Sequence, residues 1–232
     1  MGAGERWRLV TEFVPRGSLY DVLRKTDPKR LTWRRRVEIA IGTSLGMHFL
    51  HTQGVAHMDL KSLNVLIGTD FTPKICDFGL CREGMISTNN VEGLGSEDGT
   101  GGEEEQPMGT FEWMAPEVMR CEAPRRSADV YSFGVMLWEL CALDTPYRSV
   151  RNKRLLVHLV GDEGMRPPIP ASCEDLWCGL MVRCWMGVPS ERPSFQAVVA
   201  ELREMRKVDM TGWAVQPPVE TDQQDHLFGG AS

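Results

Sequence analysis

The stretch HMDLKSLNVLI, residues 57–67, brings four chemically versatile side chains together. A His, an Asp, a Lys and an Asn occur at close, irregular spacing, and a short apolar run follows them. The polar residues are predicted to lie in a loop, and NVLI is predicted to continue as a short strand. A second short strand is predicted in PKICDF, residues 73–78, so that two strands flank the polar cluster.

The rest of the chain is predicted to be mostly helical. Residues 7–14, WRLVTEFV, are rich in β-branched and aromatic residues and predict a strand. Gly and acidic residues dominate residues 84–107, which predicts a mobile loop, and the tail from about residue 212 predicts no regular structure. Thr32 is placed to cap a long helix. Helical patterns cover residues 19–25, 33–51, 127–143, 151–160, 173–186 and 194–207. The pattern at residues 127–143 is strongly apolar, which predicts a helix buried on most sides.

Composition limits the possible functions. The chain has 232 residues, of which 42% are hydrophobic, and this is enough for one globular domain with tails. A formal net charge of -6 disfavours nonspecific binding to nucleic acid or to an anionic membrane. No apolar run reaches the roughly 18 residues of a membrane-spanning helix. Seven scattered cysteines without a CxxC pair are typical of reduced thiols, so a cytoplasmic location is expected.

Several motifs together carry a family resemblance. The stretch HMDLKSLNVLI resembles the catalytic loop of eukaryotic protein kinases, whose pattern is HRDLxxxxN. The segments GTFEWMAPEV and KSLN are similar to those of the tyrosine-kinase-like group, whose members mostly phosphorylate Ser and Thr. The resemblance extends from about residue 7 to residue 207. Further matches follow in the family's order: DFG at 77–79, APE at 115–117, DVYSFGV at 129–135 and ERPSF at 191–195.

The resemblance implies a fold and a division of the chain. The fold would be mainly α (α+β): the large helical C-terminal lobe of a protein kinase, with short β hairpins at the catalytic loop. Residues 1–14 would be a hinge-leading strand that remains from the small lobe, and residues 15–207 would be the C-terminal lobe. Residues 80–114 within it would form a long acidic and Gly-rich activation loop. Residues 208–232 are expected to be a disordered tail.

The resemblance also assigns chemical roles to the residues of the polar cluster. In phosphoryl transfer, a protein mainly positions the reactants and stabilises charge. It makes Asp59 the base that accepts or orients the proton of the substrate hydroxyl. Lys61 would reach the transferring phosphate, and Thr110 would bridge Asp59 and Lys61 through its hydroxyl. Asn64 and Asp77 would hold Mg²⁺, which prefers hard oxygen ligands.

The implied cofactors are ATP and Mg²⁺, and the implied partner is a protein that offers a Ser or Thr hydroxyl. Leu66 would form an apolar floor beneath the adenine ring, and Thr11 would occupy the gatekeeper position. Glu12 and Val14 would offer backbone groups to the edge of the adenine. Ser18 completes the residues that the resemblance places around the nucleotide.

Five further residues receive structural roles from the resemblance. His57 is expected to pack against Phe78 of the DFG motif. Glu117 and Arg192 are expected to form a buried ion pair. Asp129 is expected to cap backbone amides of the catalytic loop.

The sequence departs from the family in three places. Position 58 carries Met where most family members carry an Arg that pairs with a phosphorylated activation-loop residue, and Met cannot bind phosphate in that way. The activation loop is long and acidic, which is typical of a neutral insertion, a pseudosubstrate-like flap or a docking segment for basic partners. No Gly-rich phosphate loop and no VAIK-like strand Lys occur in the sequence, so the isolated chain is expected to be inactive.

Three interpretations follow from the sequence. The first is an enzyme: a Ser/Thr-type kinase lobe whose small lobe is missing from this sequence. The second is a truncated pseudokinase that acts as a binding or scaffold module. The third is a lobe that a second chain, an N-lobe or a regulator, completes in trans. The first is favoured, because Asp59, Lys61, Asn64 and Asp77 are all intact.

Overall fold

The computed structural model describes residues 10–83, 110–122 and 126–213 of the chain. These residues form seven α-helices and four short strands, which confirms the predicted mainly helical α+β fold. The helices are α1 (Leu19–Lys25), α2 (Trp33–Thr52), α3 (Pro116–Met119), α4 (Arg126–Ala142), α5 (Lys153–Gly161), α6 (Asp175–Cys184) and α7 (Phe195–Met205). The strands are β1 (Val55–Ala56), β2 (Val65–Ile67), β3 (Pro73–Ile75) and β4 (Arg82–Glu83). Short 3-10 turns cover Pro28–Arg30, Ser62–Asn64, Phe111–Trp113 and Pro189–Glu191.

Helix α4 is the centre of the hydrophobic core. Every residue from 128 to 141 is buried, which confirms the prediction from its apolar sequence. Helix α6 packs closely against it, because a Cβ at Gly134 would lie 2.9 Å from the Cβ of Cys184. Helix α2 packs against α7. Its N-cap is Thr32, as predicted, and the Thr32 hydroxyl accepts a hydrogen bond from the amide of Arg35. These helices form the rigid base on which the loop at residues 57–64 lies.

A two-stranded hairpin follows that loop and lies against α2. Two glycines of α2 make the close approach possible, because a Cβ at Gly42 would lie 2.5 Å from Pro73 and one at Gly46 would lie 2.7 Å from Ile75. A second antiparallel pair joins β1 to β4. The register of the β2–β3 hairpin places Val65 opposite Ile75, Leu66 opposite Lys74 and Ile67 opposite Pro73.

Two predictions at the ends of the chain need correction. Residues 10–14 form no strand, because a strand needs a pairing partner and no described residue pairs with them; residues 7–9 lie outside the described part. The predicted disordered tail begins too early, since the ring of Trp213 lies 5.1 Å from that of Trp33 in an edge-on contact. Residues 84–107 and 214–232, both predicted to lack regular structure, lie outside the described residues.

Two expectations from composition have counterparts in the structure. No helix in the described ranges has the length and apolar character needed to cross a membrane. All seven cysteines fall in those ranges, and each is a free thiol.

Candidate active site

Asp129 of α4 fixes the start of the loop at residues 57–64. Its Oδ2 accepts a hydrogen bond from the amide of His57 at 2.9 Å, and its Oδ1 accepts one from the amide of Met58 at 2.7 Å. The same carboxylate lies 2.8 Å from Nε2 of His51. Met58 has a φ of +67°, a left-handed conformation that a residue with a side chain rarely adopts. The hydrogen bonds from α4 hold this strained turn in place, so the predicted role of Asp129 is confirmed.

His57 connects this loop to the segment that contains Asp77. The amide of Asp59 donates to Nδ1 of His57 at 3.3 Å, so the ring proton is on Nε2, which donates to the carbonyl of Cys76 at 3.2 Å. The centroid of the His57 ring lies 5.5 Å from that of Phe78, which confirms the predicted contact. The buried imidazole therefore sets the spacing between the two segments that carry the acidic residues.

Asp59 and Lys61 form the centre of the polar cluster. The ammonium of Lys61 lies 2.7 Å from Oδ2 of Asp59 and donates to the hydroxyl of Thr110 at 2.7 Å. Each of the two charged side chains is only 13% exposed, so water screens the pair weakly. The predicted bridge is reversed: Lys61 lies between Asp59 and Thr110, and no hydrogen bond joins Asp59 to Thr110 directly.

Asn64 approaches Asp59 from the other side. Its Nδ2 donates to the backbone carbonyl of Asp59 at 2.8 Å and to Oδ2 of the same residue at 3.0 Å. Oδ2 of Asp59 therefore accepts from both Lys61 and Asn64. No described residue donates to Oδ1 of Asp59 or to Oδ1 of Asn64. Each of these residues keeps one oxygen available for a ligand.

Asp77 directly follows Cys76, which is hydrogen-bonded to Asn64 of this cluster. The amide of Cys76 donates to the carbonyl of Asn64 at 2.9 Å, which places Asp77 at the edge of the loop. Asp77 is exposed, has a φ of +63°, and accepts a hydrogen bond from Gly79 at 3.4 Å. Its carboxylate and the free amide oxygen of Asn64 are hard oxygen donors that suit Mg²⁺.

Asn64 and Asp77 are the two side chains expected to bind Mg²⁺. Within residues 10–83, 110–122 and 126–213, no group of three or more His, Cys, Asp or Glu side chains could hold a metal ion by itself. Mg²⁺ characteristically completes its shell with waters and substrate phosphates and binds few protein ligands. A pair of protein oxygens therefore fits a metal that arrives with a nucleotide.

Of the residues expected around the adenine, Leu66 and Ser18 are brought together by an isolated β bridge. Ser18 is also the N-cap of α1: its hydroxyl accepts from the amide of Asp21 at 3.1 Å and donates to Oδ2 of Asp21 at 2.7 Å. Its side chain is therefore engaged within the protein. Leu66 is half-buried and retains an exposed part of its surface.

The other three residues expected at the nucleotide lie in an extended, irregular segment. Thr11 and Glu12 are exposed and Val14 is half-buried. The Glu12 side chain pairs with Lys74 of β3 at 2.6 Å, and the carbonyl of Val14 accepts from Gly17 at 3.3 Å. The carbonyl of Glu12 and the amide of Val14 make no hydrogen bond to any described residue, so both backbone groups are available.

A buried ion pair joins α3 to the end of the turn at Pro189–Glu191. Arg192 donates from Nη1 to Oε1 of Glu117 at 2.6 Å and from Nη2 to Oε2 at 2.7 Å. The side chains are 0% and 4% exposed. Two parallel bonds of this kind are the strong geometry for a guanidinium and a carboxylate. The predicted ion pair is confirmed.

The sequence interpretation missed Glu139, a fully buried acidic residue of α4. Its Oε1 accepts from the hydroxyl of Ser62 at 2.8 Å and from Nη2 of Arg24 at 3.1 Å, while Oε2 accepts from Nε1 of Trp113 at 2.7 Å. One carboxylate thus joins α1, the loop at residues 57–64 and the segment after Thr110 to the core. Burial raises the pKa of Glu139 to about 7, although Arg24 and the hydrogen bonds oppose this shift.

We expect Glu139 to make folding stability pH-dependent. Between its ordinary pKa of 4.5 and about 7, the folded protein keeps a proton that the unfolded chain releases. The free energy of unfolding therefore falls as pH rises through this window, by about 3 kcal/mol from this group. Urea denaturation of the protein and of Glu139→Gln at about pH 5 and about pH 7.5 measures the effect. Equal pH dependence in both proteins would exclude Glu139 as its source.

Comparison with known proteins identifies the family. The model for the family described as protein tyrosine and serine/threonine kinase matches residues 1–202. The chain belongs to this kinase family. The kinase-like fold implied by the motifs is therefore confirmed, with the catalytic loop, β2 and β3 on a helical lobe.

The curated relatives of this chain include Ser/Thr kinases of the tyrosine-kinase-like kind. The serine/threonine/tyrosine-protein kinase HT1 of Arabidopsis thaliana is 36% identical over 95% of this chain and 54% of the relative. The serine/threonine-protein kinase CTR1 of the same plant is 37% identical over 92% of this chain and 24% of the relative. Mitogen-activated protein kinase kinase kinase 12 of Rattus norvegicus is 36% identical over 84% of this chain and 20% of the relative. The chain thus spans about half, or less, of the length of these relatives.

Proposed function

We propose that this protein transfers the γ-phosphoryl group of ATP to Ser or Thr hydroxyls of a protein substrate. The observation that carries the proposal is the free Oδ1 of Asp59. Its partner atom Oδ2 is held by Lys61 at 2.7 Å and by Asn64 at 3.0 Å, so the carboxylate is fixed while one oxygen is available. A fixed carboxylate with one free oxygen is suited to accepting or orienting the proton of an incoming hydroxyl.

Lys61 supplies positive charge beside that oxygen. Its ammonium is held between Asp59 and Thr110, and it is only 13% exposed. A preorganised cation at this position stabilises the negative charge on the phosphoryl group during transfer. Thr110 acts through Lys61, because its hydroxyl accepts one of the ammonium's hydrogen bonds.

Asn64 and Asp77 are the residues that would hold Mg²⁺. Bound there, the metal would neutralise charge on the phosphates of ATP. On the adenine side, the free carbonyl of Glu12 and the free amide of Val14 would pair with the base, and Leu66 would offer apolar surface beneath it. Thr11 would border the same space as gatekeeper, and Ser18 would lie near the ribose side through its bridge to Leu66.

An assay with two forms of the protein tests this function. The 232 residues contain no Gly-rich loop and no VAIK-like Lys, so we expect the chain alone to transfer little phosphate. A chimera in which the small lobe of a related kinase precedes residue 10 should transfer ³²P from ATP to Ser- and Thr-containing proteins. A folded chimera that binds ATP without transferring it would contradict the proposal and favour a binding module. Strong Asp59-dependent transfer by the chain alone would refute the need for a small lobe.

A further inference from the structure

A basic pocket lies apart from the active site. It is a cavity of about 670 Å³ between the end of α1, the start of α2 and the turn that joins β2 to β3. None of the residues around it belongs to the catalytic cluster. The pocket is lined by four cationic side chains, one carboxylate and one aromatic ring: Arg16, Lys25, Arg30, Arg35, Asp27 and Phe71. Four cations against one anion stand out in a chain whose net charge is -6.

Two of the guanidinium groups are held on one aromatic ring. The Cζ atoms of Arg16 and Arg35 lie 4.4 Å and 4.5 Å from the centroid of Phe71. Arg16 also donates from Nε and Nη2 to the carbonyl of Thr69 at 3.1 Å and 2.9 Å. Phe71 is buried and has a φ of +66°, so a strained turn presents its ring to both cations. The arginines are therefore positioned before any ligand binds.

Three of these four cations have no ion-pair partner among the described residues. Arg16, Arg30 and Arg35 form no ion pair with any described residue, while Lys25 pairs with Asp21 of α1 at 2.8 Å. Like charges that converge in one cavity repel one another, and a bound anion removes this repulsion. Nη1 of Arg16 and the whole guanidinium of Arg30 make no hydrogen bond within the described chain. Free guanidinium N–H groups match the oxygen pairs of carboxylates and phosphates.

We propose that the basic pocket docks an acidic segment of a partner protein, carrying carboxylate or phosphate side chains. This inference goes beyond the proposed phosphoryl transfer and does not depend on it. The pocket is concave and of a size that encloses a few side chains. The whole chain has a formal net charge of -6, which disfavours an extended polyanion such as a membrane surface or nucleic acid as the ligand. The positive charge that would attract an acidic ligand is therefore confined to the pocket, and this favours a short peptide.

Fluorescence anisotropy with labelled peptides tests the docking site. The probes are hexaglutamate and a peptide of equal length with two phosphoserines, each added to the full 232-residue chain. We expect binding that weakens with added KCl and falls by about tenfold or more in Arg16→Gln/Arg35→Gln. The matched control is Arg154→Gln/Arg203→Gln, which removes the same charge from exposed, unpaired arginines elsewhere and should change binding by less than about twofold.

A second variant keeps the test valid if the double variant unfolds. Arg30→Gln removes a pocket cation whose guanidinium makes no hydrogen bond to a described residue, so it should weaken hexaglutamate binding by several-fold without changing the thermal midpoint. The comparison of the two peptides shows whether carboxylates or phosphates are preferred. The proposal is overturned if neither peptide binds, or if the control pair loses as much affinity. Tighter Arg16-dependent binding to phosphatidylserine vesicles or to oligo-dT would also overturn it.

Discussion

Replacing Glu117 by Ala is expected to lower the free energy of unfolding by about 3–5 kcal/mol. Arg192 is fully buried and donates two hydrogen bonds to the Glu117 carboxylate, at 2.6 Å and 2.7 Å. It also donates to the carbonyls of Met186 and Ser127, so it cannot turn to water without breaking further bonds. Removal of the carboxylate leaves an uncompensated charge in the core. Urea denaturation followed by circular dichroism measures the change.

Two further variants isolate the effect of burial. The pair formed by Arg183 and Glu201 is solvent-exposed, so Glu201→Ala should lower the free energy of unfolding by less than about 1 kcal/mol. The double replacement Glu117→Met/Arg192→Met removes both charges and should recover part of the loss, because apolar side chains fill the space without an unpaired ion. Equal effects of Glu117→Ala and Glu201→Ala would contradict this explanation.

Replacing Asp59 by Asn in the small-lobe chimera is expected to reduce kcat by about 10²- to 10⁴-fold, with little change in the KM for ATP. Asn has nearly the same shape as Asp but cannot accept the proton of the substrate hydroxyl. It also removes the negative partner of Lys61, whose ammonium lies 2.7 Å from the carboxylate. The assay is steady-state ³²P transfer at several ATP concentrations.

The matched control for Asp59 is Asp175→Asn. Asp175 is an exposed residue in the first turn of α6 and belongs to none of the catalytic contacts, so kcat should stay within about twofold. Thermal unfolding of both variants checks that the fold is retained. A loss of less than about tenfold in Asp59→Asn would show that Asp59 does not serve as the base.

Helices with a clear periodic spacing of apolar residues, or with a capping residue, were predictable from the sequence. The long helix was predicted over residues 33–51 and is observed as Trp33–Thr52. The prediction was accurate because the apolar spacing and the Thr32 cap both indicate a helix that starts at this point. The apolar sequence of α4 likewise indicated its burial. The strand predicted at residues 7–14 failed at residues 10–14, because composition indicates the preference of a segment and cannot supply its partner.

The features of the candidate site also divide into those that the sequence motifs indicated and those that only the structure shows. Asp59, Lys61, Asn64 and Asp77 were proposed as site residues from the order of the kinase motifs, and no helical or strand period indicates them. The reversed roles of Lys61 and Thr110 depend on how residue 110 approaches residue 61 in space, and sequence distance does not encode that.

Glu139 and Trp213 were missed for related physical reasons. The three donors to Glu139 come from α1, the catalytic loop and the segment after Thr110, so nothing near residue 139 in the sequence indicates them. One signal was available: a lone Glu inside an otherwise apolar helix requires buried partners. Trp213 stands in a polar tail, where local composition outweighed the ability of one large ring to pack on the core.

Crystallography with an anomalous scatterer tests the active-site assignment most directly. The small-lobe chimera would be crystallised with Mn²⁺ and a non-hydrolysable ATP analogue, and the metal would be located by its anomalous signal. We expect a Mn²⁺ peak about 2.1 Å from Oδ1 of Asn64 and from the Asp77 carboxylate, with the γ-phosphate directed towards Asp59 and Lys61. A nucleotide bound elsewhere, or a metal peak that contacts neither Asn64 nor Asp77, would contradict the assignment of this cluster as a phosphoryl-transfer site.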